Sequence, residues 1–221
     1  MVHTGSTQIL TLHMADAQKL TDQGSIEYQL FDEVLHTIEK SNGLEQLIWG
    51  LGVERYWEVH IHIVRRSLQK HKLYLASPAH SRVLELLREL TQEPVTIRHA
   101  SMQQFTPDLS PFHAPFTGTA IYLDCKSGIW DAAWNLWTHI VPSVDGCSGV
   151  AGGYVHELVK GKPRGYLVYV GWTGIEKHEQ FHRENLFQRY RNILGIGNAG
   201  WTEYGHVRFM EERDLRFPPK L

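Results

Sequence analysis

The sequence has only two cysteines, Cys125 and Cys147, among its 221 residues. That is too few for a disulfide scaffold, and without CxxC spacing the pair suggests neither a zinc ribbon nor a thiol-redox site, so both read as free thiols. Charge of one sign is missing too. Lys and Arg number 22 against 24 Asp and Glu, and no basic block marks a phosphate-binding face. Nucleic acid and anionic membrane are therefore poor expectations. No window approaches the roughly 18 apolar residues of a membrane span. The N-terminal stretch MVHTGSTQILTLHMADAQKL lacks the basic segment and apolar run of a secretion signal. The expectation is an unsecreted, cytoplasmic protein outside the membrane. No GxGxxG, Walker-type or GxSxG loop is expected either, so neither a nucleotide nor a serine-hydrolase reading gains support, and no organic cofactor is expected.

What is abundant is histidine and tryptophan, 14 and 7 residues. They supply proton-transfer groups and flat apolar walls. They also fall into an internal repeat. LQKH at Leu68–His71 recurs as IEKH at Ile175–His178, an offset of 107 residues. The same offset lays VHIHIV at Val59–Val64 on YLVYVG at Tyr166–Gly171, and brings His99 onto His206. Each half then reads in one order, βαββαβ. The first gives strand Gln8–Met14, helix Tyr28–Glu39, strands Gln46–Val53 and Trp57–Arg66, helix Pro78–Leu90 and a last strand after Pro94. The second gives strand Thr119–Asp124, helix Trp130–His139, strands Gly149–Leu158 and Tyr166–Thr173, helix Lys177–Leu194 and strand Trp201–Met210. The expected domains are a first ferredoxin-like half over 1–102, a proline-rich connector over 103–118 and a second half over 119–221. A sheet with helices on one face leaves the other bare, so two halves are expected to bury those faces together, with a pocket between them.

The stretch GWTGIEKHEQFHRENLFQRY, its partner RRSLQKHKLYLASPAHSRVL and the Ser77-Pro78-Ala79-His80 helix start resemble the dimeric α/β barrel superfamily, which includes small antibiotic-biosynthesis monooxygenases. The resemblance covers nearly the whole chain. A tandem copy of this size is similar to barrel proteins of fungal biosynthetic clusters. It implies an α+β fold, two tandem ferredoxin-like halves forming a pseudo-dimeric α/β barrel. Members include cofactor-free oxygenases, aldol-type cyclases and stress-related proteins, so the fold is implied more firmly than the reaction.

His60 and His62 alternate with Val59, Ile61 and Ile63, so a strand there presents imidazoles to one side and branched aliphatics to the other. With the aliphatics on the helices, the imidazoles are expected to face the inter-sheet space, as is Tyr169 by the repeat. His60, His62, His99, Tyr169 and His206 are the candidate catalytic groups. Trp49, Tyr154, His156 and Trp172 are candidate substrate-binding walls. HEQFH at His178–His182 matches HExxH, whose histidines can bind zinc while the glutamate acts as base, with Glu203 or His206 as third ligand. Against this, the motif sits at a helix start and its repeat partner HKLYL has no second histidine, so a packed helix face without metal is expected. Trp130, Trp134 and Trp137 form one helical stripe, read as core or pocket wall.

The leading functional expectation is a cofactor-independent cyclase or isomerase, of pericyclic, Diels–Alder or aldol type, acting on a hydrophobic polyketide or terpenoid-like intermediate of secondary metabolism. The alternatives are a cofactor-free monooxygenase of the barrel superfamily, a zinc hydrolase, and a non-catalytic small-molecule-binding or stress-response protein. The expected partner is a hydrophobic small molecule. A homodimer stays open.

Overall fold

The computed structural model describes residues 6–214, with side chains through Met210. The chain divides into two compact units: residues up to Ser101, joined by the stretch from Met210, and Met102–Phe209. Among the described residues no helix is long and apolar enough to cross a membrane.

The first unit runs β1 (Ser6–His13), α1 (Ile26–Glu39), β2 (Leu44–Gly52), β3 (Glu58–Arg65), α2 (Leu68–Leu75), α3 (Pro78–Leu90) and β4 (Thr96–Gln104). Its antiparallel sheet has the order β4-β1-β3-β2. Alternation does the sorting. Leu10, Leu12, Val59, Ile61 and Ile63 turn one face of the sheet toward Phe31, Val34 and Ile38 of α1 and Val83, Leu86 and Leu87 of α3. Each such side chain contributes about 1.5–3 kcal/mol when removed from water. The caps are local. Ser25 accepts from the Tyr28 N–H, and Ser77 from the His80 N–H just ahead of Pro78, whose fixed φ suits the first turn.

The second unit repeats the plan with β5 (Phe116–Tyr122), α4 (Ile129–Ile140), β6 (Cys147–Val155), β7 (Tyr166–Trp172), α5 (Ile175–Arg183), α6 (Asn185–Tyr190) and β8 (Trp201–Asp214). The strand order β8-β5-β7-β6 matches the first unit position for position. His99 on β4 and His206 on β8 occupy equivalent strands, as the repeat requires. The register also corrects the offset at the first strand of each half. Gln8 pairs with His99, and Gly118 with His206, so the equivalence there is Gln8 to Gly118, three residues longer than elsewhere.

Several bounds differ from the sequence reading. β4 runs to Gln104 and β5 begins at Phe116, so strand enters both ends of the stretch read as connector, and Pro111 opens a short 3-10 turn between them. The helix expected over Lys177–Leu194 is broken at Glu184, whose backbone is extended (φ −72°, ψ 149°). There the Gln188 side chain donates to the His182 carbonyl at 2.7 Å and takes over a helix-terminal acceptor. Leu68–Leu75 is a helix of its own, capped by Ser67. Cys125 is buried, Cys147 half-buried, and both are free.

Candidate functional site

The second unit encloses a cavity of about 600 Å³ between the helix-facing side of its own sheet and its helices. Gly118 and Ala120 of β5 with Val168 and Val170 of β7 form its floor. Trp134 and Trp137 of α4 and Phe181 of α5 form the walls, and Arg191, Asn198, Trp201 and Tyr204 stand around the rest of its lining. The tryptophan stripe of α4 is thus core and pocket wall at once. This location departs from the sequence expectation, which looked to the opposite, inter-sheet face.

Trp172, at the end of β7, and His178, in the first turn of α5, lie stacked with ring centroids 4.5 Å apart and planes 14° from parallel. The His178 Nδ1 is 2.7 Å from His206 Nε2 on β8, a buried hydrogen bond in which one ring nitrogen donates and the other accepts. The His182 ring follows at 4.5 Å from His178. Burial, and then the neighbouring His182 and His206, pushes the His178 pKa down to about 3, and burial also lowers that of His182. Both imidazoles are therefore neutral near pH 7. The close approach depends on Gly118. A Cβ there would stand 3.2 Å from His178 Cε1, tight enough that the ring must shift by a few tenths of an ångström, and in ordinary contact at 3.5 Å with Trp172 Nε1. The indole N–H groups of Trp134 and Trp172, residues of this lining, are buried without a hydrogen-bond partner among the described residues. They are donors only. The lining therefore combines an apolar shape with a neutral His178, hydrogen-bonded to His206 behind it, and two buried indole N–H groups.

Of the candidate catalytic and substrate-binding residues chosen from sequence, Trp172 lines this cavity and His206 stands behind its histidine. The others lie elsewhere. His60 and His62 are buried on the face of β3 opposite Ile61 and Ile63, with His60 Nε2 3.2 Å from Glu58 Oε2. Arg55 also donates to that carboxylate at 2.8 Å. Burial alone would raise the Glu58 pKa, but His60 and Arg55 outweigh it and hold the carboxyl at about 2. Tyr169 lies between Val168 and Val170 in sequence and so faces away from the cavity, against Phe112 at 5.1 Å. Trp49 packs edge-on against Phe31 in the first unit's core. Tyr154 donates to Asp131 at 2.7 Å beside the second core, and His156 is exposed. His99 sits against His71, ring centroids 4.8 Å apart, as the first unit's counterpart of the His178 and His206 pair.

His178 and His182 are the residues the sequence reading left as a helix face or a zinc motif. The signal that finds them is the repeat, whose best-matched words end on His71 and His178. The HExxH roles do not assemble around them. Glu179 is on the exposed side of α5, 3.9 Å from Arg183, and His178 has committed Nδ1 to His206. Among the described residues no group of three or more His, Cys, Asp or Glu is placed to hold a metal ion. One motif passed over in sequence also lies here. Gly195-Ile196-Gly197-Asn198-Ala199-Gly200 spells GxGxxG, but it leaves a helical turn and enters β8, the reverse of the strand-to-helix order that cradles a pyrophosphate.

No protein-family model matches the sequence, and no curated protein matches it. Solved structures do match in fold. An anthrone oxidase-like protein is 12% identical over 98% of this chain and 97% of that one, with a TM-score of 0.67. A provisionally assigned monooxygenase from Fusobacterium nucleatum subsp. nucleatum is 9% identical over 97% and 96%, TM-score 0.64. A mutant chlorite dismutase from Candidatus Nitrospira defluvii is 13% identical over 93% and 91%, TM-score 0.54. The fold is that of the dimeric α/β barrel proteins, in tandem form. It is α+β, with two ferredoxin-like halves, as the sequence leads one to expect.

Proposed function

We propose that the second half is an oxygenase site that needs no organic cofactor and acts on an apolar, enolisable polycyclic substrate. The observation that carries this reading is the aromatic-walled cavity with the neutral His178 in its wall, hydrogen-bonded to His206 behind it. The likeness in fold to an anthrone oxidase-like protein and to assigned monooxygenases supports it over the cyclase expected first.

The chemistry is within reach of these groups. A methylene held between two arenes and conjugated through them to a carbonyl, as in anthrone, loses a proton to His178, leaving a delocalised enolate. A lone imidazolium is disfavoured in this dry site, but the enolate formed beside it supplies the counter-charge, and a low dielectric strengthens that pairing. His206, hydrogen-bonded to Nδ1, spreads the positive charge further. The enolate gives one electron to O2, the radical and superoxide combine to a peroxide, and loss of water leaves a carbonyl. The balance is CH2 plus O2 giving C=O plus H2O, with O2 the sole oxidant. Positioning in the cavity, and general acid–base help of about 10²–10⁴-fold, are what the protein contributes.

The test is turnover of anthrone in labelled O2. Label in the product carbonyl, with O2 consumed in equal amount, is the expected outcome. A cyclase remains the second reading, because a shaped apolar cavity alone can fold a flexible intermediate. An isomer of unchanged mass, formed equally well without oxygen from a linear polyketide-type substrate, would establish it instead.

A further inference from the structure

The position that the second half leaves open is occupied in the first half by polar groups of a different kind. Equivalent places hold Gly118 and Gln8, Trp172 and Arg65, His178 and His71, Phe181 and Tyr74, His206 and His99. Arg65 ends β3 on the face it shares with Ile61 and Ile63, and is fully buried. Its Nη1 donates to the Asn42 carbonyl at 3.0 Å and its Nη2 to Ser41 Oγ at 2.6 Å, and its guanidinium lies 3.7 Å over the Tyr74 ring. None of these partners carries a negative charge. Among the described residues the Nε–H has no partner, and both amide atoms of Gln8, itself fully buried, have none either.

A guanidinium out of water is costly unless a counter-charge meets it, and buried amides are almost always satisfied. We propose that the first half holds a small-anion site built on Arg65 and Gln8. The free Nε–H edge of Arg65 suits one oxygen of a planar oxyanion, and the Gln8 amide N–H suits a second. The ligand class is a small carboxylate-like oxyanion of the size of formate or bicarbonate. This site is independent of the oxygenase reading and uses none of its residues.

Formate is the probe. At constant ionic strength, held with a bulky sulfonate, formate raises the melting temperature of the full chain saturably. Gln8→Met keeps the cation and removes the amide, and weakens the formate dependence at least fivefold. Arg65→Met abolishes it. Should Arg65→Met fail to fold, Gln8→Met and a crystal grown with bromide decide, the expected anomalous peak lying within hydrogen-bond reach of Arg65 Nε. A melting temperature indifferent to formate, an equal rise in both variants, or density for water alone at Arg65 Nε and the Gln8 amide overturns the proposal.

Discussion

His178 concentrates the candidate chemistry because three elements converge on one ring: β7 through Trp172, β8 through His206, and β5 through the missing side chain of Gly118. His178→Ala is expected to lower turnover by about 10²–10⁴-fold while the near-ultraviolet circular dichroism stays native. Unchanged turnover would take this ring out of the mechanism. Buried neutral histidines also make stability depend on pH with a definite sign. His178 and His62 both have folded-state pKa values of about 3, lowered chiefly by burial. The unfolded chain, near 6.5, therefore binds protons first as pH falls, and stability is lost from about pH 6.5 downward toward 3. Above 6.5 neither state is protonated and the effect vanishes. By pH 5 each ring costs about 2 kcal/mol. Glu58 loses its stabilising charge only below about 4.5, so urea midpoints measured between pH 6.5 and 5 report the histidines alone. His62→Asn should flatten that slope, and an unaltered slope would show that His62 is not the group responsible.

Among elements, strands and amphipathic helices were legible because burial periodicity writes itself into the sequence: Pro78–Leu90 coincides with α3, and the alternation of Val59, Ile61 and Ile63 with His60 and His62 is the alternation of β3. The Ser77-Pro78 start carries a local cause, the Ser77 side chain accepting from the His80 N–H. Ser77→Ala is expected to cost about 1 kcal/mol, read as a lower urea midpoint with unchanged slope. What periodicity does not record is an interruption that keeps the same face buried. α5 and α6 present Phe181 and Phe187 to Trp137 with ring centroids 6.0 and 6.1 Å away, so the apolar pattern runs on through the break at Glu184. Tertiary packing set that break, and no helix-stopping residue in the sequence announces it.

For the molecule as a whole, the two units share a strand order while differing in what lies under their helices. Anthrone binding should therefore slow amide exchange in β5, β7, α4 and α5, and leave β1–β3 at their unliganded rates. Protection spread equally over both units would place the ligand elsewhere. The sequence by itself determined the repeat, the α+β class and the alternating core, because these follow from local periodicity and from the chemistry of each side chain. Only the tertiary structure decided which histidines meet. His71 with His99 and His178 with His206 are joined across strand and helix, and His178 owes its room to Gly118, 60 residues earlier in the chain. Strand parity could say that His60 and His62 share a face and that Tyr169 lies on the equivalent face of the second sheet, but not on which side of either sheet the open volume would lie. That depends on residue volumes packed in three dimensions, glycine and valine on one floor, glutamine and isoleucine at the equivalent places of the other, and volume left unfilled has no pattern along the chain.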